Sequence, residues 1–149
     1  MAYREIVTLK NEDILRKKCR PVTVFDDRLG SIIDDMVNTM RRADGVGIAA
    51  PQVGIIRRIC VVETSELYCE LVNPVIVEHS KETQLGAEGC LSIPGEQHNV
   101  VRPMTVTVEA FDRHGKPFRV TGSGFTARAL CHEIDHLDGI LYIDRAEKE

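Results

Sequence analysis

Two histidines four residues apart, with a glutamate after the first, stand near the C-terminal end of the sequence as His132-Glu133-Ile134-Asp135-His136. On a helix turning about 100° per residue, His132 and His136 project within about 40° of each other, with Glu133 on the flank of the pair. Such a pair can share one divalent cation, and the carboxylate can face the cation's open side as a general base. In a chain of this composition the H-E-x-x-H pattern arises by chance with a probability on the order of 0.01. A catalytic cation needs a third protein ligand and a position left for water. Downstream, Asp144, Glu147 and Glu149 offer carboxylates. The better donor is upstream, Cys90 in Glu88-Gly89-Cys90-Leu91-Ser92, where one sulfur and its neighbours' backbone N–H groups are presented together. A cation deprotonates such a thiol on binding. Cys19, Cys60 and Cys69 read as inert buried thiols. Cys131 adjoins His132 but projects about 140° from the middle of the metal face, so it is no ligand. His79 at a strand end, His98 in a loop and His114 in a turn read as surface residues.

A second candidate is Gly45-Val46-Gly47-Ile48-Ala49-Ala50-Pro51-Gln52. It contains G-x-G but neither a third glycine in step nor a preceding strand, so a dinucleotide fingerprint is unsupported. Its small residues suit the close approach of a peptide backbone. Gln52 is the side chain with polar reach, and its amide could donate to a developing oxyanion. On its own the segment reads as a structural turn.

These residues need elements to hold them. Thr126 to Asp138 reads as a helix closed by Gly139, with Leu130, Ile134 and Leu137 as the inward stripe opposite the histidines, so one face is buried and the other is offered to the site. Leu29, Ile32, Ile33, Met36 and Met40 mark another helical stripe, capped by Asp26 or Asp27 and stopped at Asp44-Gly45 with the glycine as the stop. Asn11 to Lys18 reads as a short helix that Pro21 forbids to continue. Between the helices the period changes. Residues 58–63, 68–72 and 75–77 are β-branched runs, the last two broken by Asn73-Pro74. Met104 to Phe111 alternates and pairs with Lys116 to Thr121 across a turn that contains Gly115. The pattern predicts an α+β fold, with short, mainly antiparallel strands surrounding a C-terminal helix that carries H-E-x-x-H, in a single catalytic domain over 1–149. With 149 residues, 43% of them hydrophobic, the chain can bury a real core unaided. A formal charge of −4 with no basic block argues against nucleic acid. No apolar run approaches the ~20 residues of a membrane span. Five cysteines, and no apolar signal region after Met1, predict a reducing cytosol.

Taken together, Gly45–Gln52, Glu88–Ser92 and His132–His136 resemble, in that order, the three signature motifs of the peptide deformylases. Arg102-Pro103, the 112–116 hairpin and Asp138-Gly139 extend the resemblance over nearly the whole chain. It implies an enzyme that removes the N-formyl group from the initiator methionine of nascent bacterial or organellar polypeptides and releases formate. It also implies Cys90, His132 and His136 as metal ligands, Glu133 as the catalytic carboxylate, and the Gln52 amide and Leu91 backbone N–H as oxyanion donors. Gly45, Val46 and Gly47 would meet the peptide, and Val46 and Phe125 would wall an apolar pocket for the methionine side chain. Where the family commonly has Gln, this chain has Cys131, and Ile48 replaces a usual Leu. One thiolate and two imidazoles alone favour Zn²⁺, whereas the resemblance implies Fe²⁺, with Zn²⁺, Ni²⁺ or Co²⁺ able to substitute. The implied partners are N-formylmethionyl peptides and the ribosome, with no membrane and no direct nucleic acid, in a bacterial cytoplasm. Family members commonly run further at the C-terminus, the segment to which ribosome docking is ascribed. Two other readings share part of the evidence. A small zinc metallopeptidase would use H-E-x-x-H but would not require Cys90. A metal-stabilised binding module would need a fourth protein ligand to close the site. Formate release from a formyl-Met peptide without internal cleavage separates these readings.

Overall fold

A computed structural model of the chain describes residues 2–147. Its elements are α1 (Glu12–Leu15), α2 (Asp27–Arg42), β1 (Gly47–Ala49), β2 (Ile59–Glu63), β3 (Tyr68–His79), β4 (Thr83–Cys90), β5 (Ile93–Pro103), β6 (Thr105–Phe111), β7 (Pro117–Ser123), α3 (Phe125–Leu137) and α4 (Tyr142–Arg145). Five antiparallel strands in the order β1-β2-β3-β6-β7 form one sheet, and β4 pairs with β5 in another. The architecture is α+β, with strands gathered around the C-terminal helix α3.

The β1–β2 part of the five-stranded sheet is buried on two faces. In β2, Ile59 and Val61 face a cluster with Leu29, Ile33, Met36 and Met40 of α2. Cys60 and Val62, pointing the other way, join Ala127, Leu130, Ile134 and Leu137 of α3. This is why Ile59–Val62 reads as a continuous apolar run with no alternation. A third cluster, around Leu15, Ile93, Val100, Leu141 and Tyr142, seals β5 against α1 and α4.

Several boundaries differ from the sequence expectation. The first helix is one α-turn preceded by a 3₁₀ turn at Leu9–Asn11, and does not reach Lys18. In α2, Asp26 is the cap, its carboxylate accepting from the Leu29 N–H at 3.1 Å. At the other end Asp44, not Gly45, takes the left-handed conformation, at φ 56°. The Asp44 and Gly45 N–H groups close back on Arg41 and Met40, and a short polar side chain tolerates that position. A Cβ on Gly45 would crowd Leu91, standing 2.8 Å from its Cδ1. The two runs across Asn73-Pro74 are one strand, β3, with a register shift between Val72 and Val75. Asn73 sits at φ 52° and exchanges two hydrogen bonds with the Val22 backbone, which holds this irregularity open. The Gly45–Gln52 segment is not a plain turn: it contains β1 and a 3₁₀ turn over Ala50–Val53. His98 lies in β5, not in a loop, although it is exposed. Finally, α3 is not buried on one face only. Of its residues only Phe125 and Asp135 fall outside the buried class. Gly139 ends it as expected, at φ 74°.

Candidate metal centre

The helix α3 places His132 and His136 one turn apart, and the end of β4 brings Cys90 to them. One ligand atom from each of the three residues lies within 4.8 Å of the others. Cys90 Sγ is 3.3 Å from His136 Nε2. His132 Nδ1 is 2.9 Å from Glu88 Oε1. With Nδ1–H donated to that carboxylate, Nε2 is the free nitrogen, the orientation that a ligating imidazole needs. Of the other carboxylates weighed as third ligand, Asp144 is engaged by Arg16 and the Leu141 N–H, Glu147 is exposed, and Glu149 lies outside the described residues.

The charges around this cluster were missed by sequence reasoning. Glu88 is buried and accepts four hydrogen bonds: from Arg102 Nε (2.8 Å), Arg102 Nη2 (2.9 Å), Arg128 Nη1 (2.7 Å) and His132 Nδ1 (2.9 Å). Burial pushes its carboxyl up, but the hydrogen bonds and charges of Arg102 and His132 overturn this and hold it down at about 2. Arg102 also reaches Asp135 at 2.7 Å, and Arg145 holds Asp135 from the other side. Spacing was the available signal: Glu88 stands two residues before Cys90, and Arg128 stands four residues before His132 on the same helix.

Glu133 is different. Its Oε1 is buried without a hydrogen-bond partner among the described residues, and burial pushes the carboxyl up to about 7. It packs against Gly47, where a Cβ would stand 2.8 Å from Glu133 Cδ. Gln52 is also buried. Its Oε1 accepts from the Ala49 N–H at 2.8 Å, which fixes the amide so that Nε2 points to Ser92 Oγ (3.2 Å) and Cys90 Sγ (3.5 Å). His136 is pushed down by burial and by the charge of His132. Burial also pulls His132 down, but Glu133, Cys90 and Glu88 more than offset it and carry it to about 10. One thiol and two imidazoles, each offering a ligand atom within 4.8 Å of the others, are a donor set that fits a divalent cation.

A cleft of about 350 Å³ opens onto the cluster. Gly45, Val46, Gly47 and Gln52 line one side, Cys90 and Leu91 another, and Phe125, Arg128 and Ala129 a third. β1 is an edge strand of its sheet, so its outer side borders the cleft. Among the other cysteines, Cys131 lies in the core cluster on the sheet side of α3, with burial raising its thiol to about 11. Cys19 and Cys60 are buried, and Cys69 is half-buried. His79, His98 and His114 are exposed.

A sequence model described as polypeptide deformylase matches residues 3–149. The chain is 48% identical over 149 residues to a peptide deformylase of Alkaliphilus metalliredigens, covering all of both chains. It is 51% identical over 149 residues to one of Heliobacterium modesticaldum, covering 100% of this chain and 97% of that one. Among solved structures, the peptide deformylase of Thermotoga maritima superposes with a TM-score of 0.94 at 38% identity, over 99% of each chain. That of Legionella pneumophila gives 0.92 at 45% identity, over 98% of this chain and 87% of that one. By sequence and by fold alike, the chain belongs to the peptide deformylase family.

Proposed function

We propose that Cys90, His132 and His136 hold one divalent cation, and that Glu133, Gln52 and the Leu91 backbone N–H carry the hydrolysis around it. The reaction is the family's own: the N-terminal formyl group of N-formylmethionyl peptides is hydrolysed and formate is released. The observation that carries the assignment is the meeting of one sulfur and two imidazoles within 4.8 Å, beside a buried carboxylate oxygen with no hydrogen-bond partner among the described residues.

When bound, the cation lowers the pKa of water and polarises the formyl oxygen. Glu133 takes a proton from the attacking water as the new C–O bond forms at the formyl carbon. The developing oxyanion is met by Gln52 Nε2, whose amide Ala49 has already oriented, and by the Leu91 N–H. When the C–N bond breaks, Glu133 returns the proton to the leaving amine. Gly45, Val46 and Gly47 lie where the peptide backbone would pass, and Val46 and Phe125 wall the methionine pocket. Val46 and Phe125 are 41% and 55% exposed, surface that a substrate side chain would cover.

Fe²⁺ is the proposed physiological ion, with Zn²⁺, Ni²⁺ or Co²⁺ as substitutes. The five cysteines are all free, which agrees with a reducing cytoplasm. The ribosome is a proposed partner because the substrate is nascent. One sample tests the reading: anaerobically purified protein, with metal analysis and a formate assay. A formyl-Met peptide should release formate, and an unformylated peptide should stay intact; internal cleavage would select a zinc metallopeptidase. Cys90→Ala should lose the cation, and full occupancy in that variant would remove Cys90 from the ligand set.

A further inference from the structure

Of the four hydrogen bonds on Glu88, Arg102 gives two, in a bidentate fork, and His132 gives one. The fourth comes from Arg128, a buried guanidinium on α3 itself. Its Nη1 also donates to the Val100 carbonyl at 2.9 Å. Gly86 and Val100 face each other across the β4–β5 ladder, and a Cβ on Gly86 would stand 2.9 Å from Arg128 Nη2. The guanidinium therefore lies across this ladder, in room that only glycine leaves.

We infer that Arg128 is a positioning residue for the metal centre, one that ties the strand bearing Cys90 to the helix bearing His132 and His136. The ties form a closed ring. Arg128 and His132 leave α3 one turn apart and converge on Glu88, which stands two residues before Cys90 on β4. Two ligands come from one helix, which fixes their separation. The third comes from another element, and its distance depends on what joins the two. Arg102, on β5, adds a second tie through Asp135 of α3, whereas Arg128 reaches Glu88 from α3 directly, one turn from His132.

Cost supports the same reading. Arg128 Nη2 is buried with no acceptor among the described residues. A buried donor left unmade is unfavourable, so an apolar residue would serve packing better. Partners of metal-ligating histidines, by contrast, are worth 10- to 100-fold in metal affinity. Arg128 also lines the cleft between Phe125 and His132, so its stem can serve as pocket wall while its head holds Glu88.

The inference rests on the ligand set proposed above, and the experiment separates the two. Protein loaded with Ni²⁺ is mixed with a chelator, and the rate of Ni²⁺ release is measured for wild type, Arg128→Met, Arg128→Lys and Gly86→Ala. Arg128→Met should release Ni²⁺ about 10- to 100-fold faster. Arg128→Lys should recover part of the difference, and Gly86→Ala should shift release in the same direction as Arg128→Met by displacing the guanidinium. If Arg128→Met does not fold, the other two variants carry the test. Release within twofold of wild type in folded variants, even with a lowered Tm, would reduce Arg128 to a packing residue. Wild-type protein that takes up no Ni²⁺ would instead sink the ligand set itself.

Discussion

The two helices that flank the five-stranded sheet rest on the same strands but bury opposite kinds of side chain. Against Ile59 and Val61, α2 sets Leu29, Ile33, Met36 and Met40, and none of its buried residues is charged. Against Cys60 and Val62, α3 sets Ala127, Leu130, Ile134 and Leu137, and on its remaining sides it buries Arg128, His132, Glu133 and His136. An apolar stripe needs only a surface to cover it. Buried charges need partners, because each desolvated ion without one is costly. Those partners come from β4 and β5, which supply Glu88 and Arg102. The smaller sheet thus supplies much of the hydrogen-bond network around α3, and among the described residues that network is left open at Glu133 Oε1, at the metal centre, and at Arg128 Nη2.

The comparison makes the two sides separable by mutation. The largest effect should come from Glu133→Ala on the α3 side. Loss of a general acid–base costs about 10²- to 10⁴-fold in rate, so kcat/KM for a formyl-Met peptide should fall by at least two orders of magnitude. The cation should stay bound, and Tm should not fall. The removed carboxylate has a buried oxygen unpaired among the described residues, and groups held for function at a cost to folding leave a neutral or more stable protein when deleted. Substantial turnover in this variant would sink the assigned role. Ile33→Ala, on the α2 side, should do the reverse. Ile33 is fully buried, and such truncations cost about 2–5 kcal/mol, at roughly 2–4 °C of Tm per kcal/mol in a chain of this size. Cation content and kcat should hold at temperatures where the variant is folded. A fall in metal occupancy at 25 °C would mean that the two sides of the sheet are coupled after all.

The same contrast explains what could be read from the sequence. The α2 region was legible because its physics is periodic: a stripe at helical spacing, a capping aspartate and a stop. Only the identity of the left-handed residue, Asp44 in place of Gly45, was misassigned, since a short polar side chain can replace glycine there. In α3 the ligand pair was legible because H-E-x-x-H is local. Its surroundings were not, because Glu88, Arg102 and Arg128 come from three elements and only the fold brings them together. β4 and β5 escaped for a related reason: Thr83–Cys90 and Ile93–Pro103 are largely exposed, so they lack the apolar alternation that marks a half-buried strand. The break at Asn73-Pro74 was over-read, since a bulge accommodates both residues that would otherwise end a strand.

The smallest effect sharpens the comparison most, because it touches one helix end and nothing else. Asp26 is exposed, and its carboxylate satisfies the Leu29 N–H, one of the orphan donors of the first turn of α2. Asp26→Ala should cost about 1 kcal/mol, read as a lower denaturant midpoint with an unchanged m-value. Asp26→Asn keeps an accepting oxygen and loses only the charge at the helix N-terminus, so it should recover most of that loss. The site residues Gly45 and Gly47 follow the far end of α2, sixteen residues away, roughly 24 Å along a helix rising 1.5 Å per residue. A stability change of this size at the capped end should therefore leave kcat/KM and the rate of cation release where they were. If Asp26→Ala slowed turnover while Asp26→Asn did not, the fraying of α2 would reach the glycines at its other end. The apolar side of the sheet would then be part of the catalytic device and not only its support.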